Sequence, residues 1–211
     1  MIDNNYLIQT ASRPVVFLGP SLSVEEAREI LSAEYRGPIR KGDLDAIAAP
    51  ATVVIVDGVL DDDKRLPASE ALEALRRGIK LYGTSSTGAL LAAELAWHGM
   101  KGFGRVFDLL RRSSCDREEL VALLYVEPDY QPVTVPLINF ALAVRDIGYE
   151  TTQIDALMRT LLSIPLHGRT WDTIENRLSE AGLHLPETVR ATNAKKDDAR
   201  ALLALLHVRG S

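Results

Sequence analysis

Three short apolar runs constrain the fold most. They are Val15-Val16-Phe17-Leu18, Thr52-Val53-Val54-Ile55-Val56 and Ile79-Lys80-Leu81-Tyr82. Each is rich in β-branched or aromatic residues, and each closes on a glycine turn: Gly19-Pro20, Asp57-Gly58 and Gly83. The first two are apolar almost throughout, which predicts strands buried on both faces. Helical spacing fills the gaps. Ser23 and Glu26 form a capping box ahead of Ala27, Ile30 and Leu31. Pro67 opens a helix whose stripe is Ala68, Ala71, Leu72 and Leu75. Asp43 is expected to cap a short helix over residues 44–49, stopped by Pro50. Strand and helix alternating over short links predict an α/β fold, a small parallel β-sheet core with flanking helices.

After Gly99 the pattern turns helical and more polar, so the C-terminal half is expected to be all-helical. The expected organisation is a flexible N-terminus over 1–13, an α/β core over 14–99 and a helical region over 100–211 packed on that core. Pro186 is expected to begin a last helix with the stripe Ala199, Leu202, Leu203 and Leu206.

Composition removes several functions. The net charge is −5 and no basic stripe appears, which excludes nucleic acid as a partner. No apolar run reaches membrane-spanning length. Met1-Ile2-Asp3-Asn4-Asn5 lacks the basic start of a signal peptide, so a cytoplasmic location is expected. The single cysteine, Cys115, reads as incidental. His167, His184 and His207 have no ligand spacing, and Asp61-Asp62-Asp63-Lys64 reads as a solvated loop. No metal or cofactor is expected.

The third strand runs into Gly83-Thr84-Ser85-Ser86-Thr87-Gly88 and an alanine-rich helix. This places hydroxyls and unpaired backbone N–H groups together at a helix start. One reading is plain capping. The other is a nucleophile at a strand-to-helix elbow. Ser85 has a glycine two residues before it and Ser86 a glycine two residues after it; neither has both. Gly19-Pro20-Ser21 and Asp57-Gly58 stand at the carboxyl ends of the other strands, where an open α/β sheet binds ligands.

Several marks recur in a fixed order. They are Phe17-Leu18-Gly19-Pro20-Ser21-Leu22, Pro38-Ile39-Arg40-Lys41-Gly42-Asp43-Leu44, Asp57-Gly58-Val59 and residues 83–90 with Ala92-Ala93-Glu94-Leu95. Gly99-Met100, Tyr130-Gln131-Pro132 and Pro136-Leu137-Ile138-Asn139 follow. Together they resemble the TfuA-like family. The resemblance implies an accessory protein for YcaO enzymes, which activate a peptide backbone amide with ATP so that sulfur replaces its oxygen. It further implies binding to the YcaO-type enzyme and to a ThiS-like carrier, whose C-terminal thiocarboxylate is hydrolysed to release sulfide. The family's proposed site is a Ser–Lys pair, with its serine in the turn matching Ser85-Ser86.

On that resemblance Ser86 is the favoured nucleophile, because Ser86-Thr87-Gly88-Ala89 resembles half of an elbow, and Ser85 is the alternative. Gly83, Thr84, Thr87, Gly88, Gly19, Ser21 and Asp57 are the expected substrate-binding residues. Where the family's lysine is expected, this chain holds Ser69. Lys41 is the candidate substitute base, with Lys64 behind it. Leu91 and Ala141 stand where the family has arginines. A non-catalytic YcaO partner and a small serine esterase are the two competing readings.

Overall fold

The computed structural model describes residues 13–113 and 117–210. Cys115 and most of the expected N-terminal segment lie outside them. The apolar runs form strands β1 (Val15–Phe17), β3 (Thr52–Ile55) and β4 (Lys80–Gly83), with β2 (Glu34–Arg36) and β5 (Lys101–Gly102) at the edges. All five are parallel, in the order β2-β1-β3-β4-β5. Between them run α1 (Val24–Ile30), α2 (Ala68–Arg76) and α3 (Thr87–Leu95).

The central strands alternate between two cores, as the pleat requires. Val15, Phe17, Val53, Ile55 and Leu81 point into the larger one, with α2, α3 and most of the following helices. Val16, Leu18, Val54 and Val56 point into the other. Leu22, Ala27 and Leu31 cover that second face, and so do Ala199, Leu202 and Leu203 of the last helix. The C-terminal helix therefore supplies part of the layer that buries the sheet.

The helical half comprises α4 (Arg105–Arg112), α5 (Arg117–Val121), α6 (Leu137–Asp146), α7 (Thr151–Leu162), α8 (Trp171–Glu180), α9 (Glu187–Ala191) and α10 (Ala194–Gly210). A two-stranded antiparallel ribbon, β6 (Tyr125–Val126) with β7 (Gln131–Pro132), interrupts it. Among the described residues no helix is long and apolar enough to cross a membrane.

Two local expectations are corrected. Residues 44–49 form turns, not a helix. Asp43 accepts from the Arg40 N–H at 2.7 Å, so it closes a turn before that segment and does not cap a helix. The buried Glu70 carboxylate takes the Gly42 and Leu44 N–H groups at 2.8 and 3.0 Å. Arg77 donates to the Leu44 and Ile47 carbonyls at 2.7 and 3.1 Å, satisfying the segment without helical bonds. The last helix also does not run unbroken from Pro186; it breaks at Thr192-Asn193, and α10 starts afresh at Ala194.

Candidate functional site

The strand order places a switch point between β1 and β3, whose connections leave in opposite directions. Gly19 and Asp57 follow those two strands, and the hydroxyl turn follows β4. Clefts in open α/β sheets form at the carboxyl edge of such a point.

The turn is drawn tight by its glycines. A Cβ on Gly83 would lie 2.0 Å from the Gly88 carbonyl oxygen, and one on Gly88 would lie 1.7 Å from that of Ile55. The first turn of α3 therefore rests directly on β3 and β4. Ser85 has φ +66°, a left-handed conformation that is strained for a side chain with a Cβ. That strain sits at the strand-to-helix turn between β4 and α3, one residue before Ser86.

Capping does not explain the hydroxyls. Thr84 Oγ1 donates to the Phe103 carbonyl at 2.9 Å, Ser85 Oγ to the Lys195 carbonyl at 2.7 Å, and Thr87 Oγ1 to the Gly58 carbonyl at 3.0 Å. All three tie the turn to other segments. Ser86 is the N-cap of α3, yet its side chain makes no capping bond and has no hydrogen-bond partner among the described residues. It keeps 6% exposure while Ser85 keeps none.

Asp57 gathers the first loop. Its carboxylate accepts from the Gly19 and Ser21 N–H groups at 3.0 Å each and from Ser21 Oγ at 2.6 Å. The structure thus brings Gly19, Ser21 and Asp57 together, with these donors committed to the aspartate. Beside them stands Lys195, 1% exposed, its Nζ donating to the Val121 carbonyl at 3.0 Å. Burial pushes its ammonium down from 10.5 to about 8, and the Asp57 charge pulls the other way. Lys41 and Lys64 are exposed, joined only by a backbone bond from the Lys41 N–H to the Lys64 carbonyl. Ser69 is exposed on α2. Lys195 touches the serine turn through its backbone carbonyl, which accepts from Ser85 Oγ.

Lys195 is held firmly. The Asn139 side-chain oxygen accepts the Ala194 N–H at 3.1 Å. One turn along α10, Asp198 accepts the Arg105 and Val106 N–H groups at 3.0 and 2.8 Å, capping α4. Burial raises the Asp198 carboxyl, against those N–H bonds. Lys196 pairs with Glu26 of α1 at 2.7 Å.

Two clefts flank this region. One, of about 320 Å³, lies between the Gly19 loop, the start of α1 and the ribbon tip Pro128-Asp129-Tyr130-Gln131. The other, of about 300 Å³, is lined by Leu60, Leu66, Pro67, Leu90 and Thr87, the neighbour of Ser86. The ribbon leans over the carboxyl edge. Arg40 pairs with Glu127 at 2.8 Å, and the Tyr130 hydroxyl occupies the space a Cβ on Gly37 would need.

With the site assembled, comparison with known families is decisive. The model of the TfuA-like protein family matches residues 57–170, more than half of the chain. This chain belongs to the TfuA-like family. No curated protein matches it. The TfuA-like stretch begins at Asp57 and contains the whole turn from Gly83 to Gly88, but Gly19, Ser21, Lys41 and Lys195 lie outside it.

Sequence reasoning on this TfuA-like chain missed Lys195 and Asp198, and marked Asn139 only as part of a motif, without its bond to the start of α10. One signal for the lysine was present. Counting back four from Ala199 along the stripe Ala199, Leu202, Leu203 reaches Lys195, a charged residue in phase with a buried face.

Proposed function

We propose that this TfuA-like protein serves YcaO-dependent peptide thioamidation in the cytoplasm, binding the YcaO-type enzyme and a ThiS-like carrier and hydrolysing the carrier's C-terminal thiocarboxylate. Ser86 is the nucleophile and Lys195 the general base. One observation carries this reading: a fully buried lysine, its pKa brought down to about 8, lies against a serine turn at the sheet's carboxyl edge. A free lysine is protonated near neutrality and cannot accept a proton; this one is partly neutral.

In this reading Ser86 Oγ attacks the thiocarboxylate carbon while its proton passes to Lys195 Nζ. The bond to Val121 leaves the neutral amine a lone pair for that proton. The positive end of α3 stabilises the developing oxyanion and favours an anionic carrier tail. The C–S bond then breaks, and sulfide leaves with the proton from Lys195. Water, deprotonated by the same amine, then attacks the serine ester; Lys195 gives that proton to the departing Ser86 Oγ, and the carrier leaves as a carboxylate. Ser86 is preferred to Ser85 because its hydroxyl is uncommitted, whereas Ser85 Oγ is bound to the Lys195 carbonyl.

The burial of the turn favours a second reading, in which the protein docks YcaO and carrier and performs no chemistry. Sulfide release from a thiocarboxylated carrier separates the two. Ser86→Ala and Lys195→Met should each lower the rate by about 10²-fold or more, the wild-type rate rising with pH to a plateau above about 8. Full activity in both variants would leave docking as the function.

A further inference from the structure

A further cleft lies away from the serine turn, between α4 and α6. It has a volume of about 510 Å³, and Arg105, Arg112 and Arg145 line it together with Leu109, Leu142 and Asp108. On a chain of net charge −5, three guanidiniums around one cleft reverse the local sign. Arg105 is paired with Asp146. Arg145 bonds only the Ala141 carbonyl of its own helix, and Arg112 has no carboxylate partner among the described residues. Two cations are thus left facing one opening.

The floor narrows the ligand. Leu142 is buried and Leu109 half-buried, so the floor between the arginines is aliphatic. Among the described residues, the lining holds no aromatic ring on which a base could stack and no glycine loop to cradle phosphates. Guanidinium forks on an aliphatic floor suit carboxylates that flank a leucine-like side chain.

We propose that the α4–α6 cleft binds an acidic peptide segment of a protein partner, two carboxylates pairing with Arg112 and Arg145 and an aliphatic side chain resting on Leu109 and Leu142. The surface uses none of the residues assigned to hydrolysis, so it stands whether or not the serine turn is catalytic.

The test uses a fluorescein-labelled peptide of alternating glutamate and leucine and the full-length protein at low salt, followed by anisotropy. Saturable binding is expected, weakened at least about tenfold in Arg112→Glu/Arg145→Glu, with circular dichroism confirming that the variant is folded. A glutamine-for-glutamate peptide should lose binding to the same extent. The charge-matched control Arg28→Glu/Arg76→Glu, two exposed arginines outside the cleft, should bind like the wild type. Absence of saturable binding overturns the proposal. So does equal weakening by the control, which would mean a diffuse field. Displacement by micromolar pyrophosphate would make the cleft a phosphate site and overturns it too.

Discussion

Replacing Lys195 by methionine should make the protein more stable at neutral pH and less stable in alkali. Moving the ammonium from 10.5 to about 8 corresponds to about 3 kcal/mol, at ~1.4 kcal/mol per pH unit. Below pH 8 the folded and unfolded chains both carry the proton, and that cost of burying charge is present in full. Between about 8 and 10.5 the unfolded chain still holds a proton the folded chain has released, so stability rises with pH; above 10.5 it levels off. Methionine fills similar volume without the charge and removes the whole term. It also leaves the buried Val121 carbonyl without its 3.0 Å donor, a loss of about 1–2 kcal/mol. The variant should therefore be about 1–2 kcal/mol more stable than wild type at pH 7, and less stable by a similar amount at pH 10.5. The difference should cross zero between those values. Urea unfolding at both pH values reads it directly, the variant's midpoint at pH 7 lying higher by about half a molar. Many groups titrate in this range, so the wild-type minus variant difference is the quantity to follow. A variant that is less stable at pH 7, or a difference flat with pH, would refute the assignment of Lys195 as a buried, desolvated cation.

Two other substitutions probe the frame around the site. In Gly88→Ala the new Cβ would meet the Ile55 carbonyl oxygen at 1.7 Å; neither backbone can give way, and a loss above about 4 kcal/mol is expected, read as absence of a cooperative transition in circular dichroism. Arg169, 1% exposed, donates to the Ile164 and Glu119 carbonyls at 3.1 and 3.0 Å and pairs with the Glu119 carboxylate. Arg169→Lys keeps the charge but not the planar fork, and should lower urea stability by about 2–4 kcal/mol; an unchanged midpoint would show that the fork does not hold α5 to the loop before α8.

The sequence made the interior strands legible because each is short, β-branched and buried on both faces. The edge strands had no such signature. Glu34-Tyr35-Arg36 meets the sheet on one side only and carries charges at both ends, while Lys101-Gly102 is two residues long. Pairing with a neighbour, not pattern, makes them strands. The serine turn was legible as a turn between two glycines, but the use of its hydroxyls was not. Thr84, Ser85 and Thr87 find acceptors 19, 110 and 29 residues away, and nothing local can announce such partners. Lys195 is the instructive case. The family resemblance directed attention to Ser69, which the structure leaves exposed, beside a Glu70 carboxylate already engaged by the Gly42 and Leu44 N–H groups. A lysine in phase with the apolar stripe of α10 was visible throughout. Stability at neutral pH would not keep a charge there, since a methionine at that position loses only the Val121 bond and sheds the larger cost of burying the ammonium. The break at Thr192-Asn193, the Asn139 and Asp198 bonds and the Ser85 contact all act to fix the first turn of α10. So much structure fixes one unfavourable cation whose backbone carbonyl meets a strained serine turn, and that arrangement favours the proposed hydrolysis over docking alone.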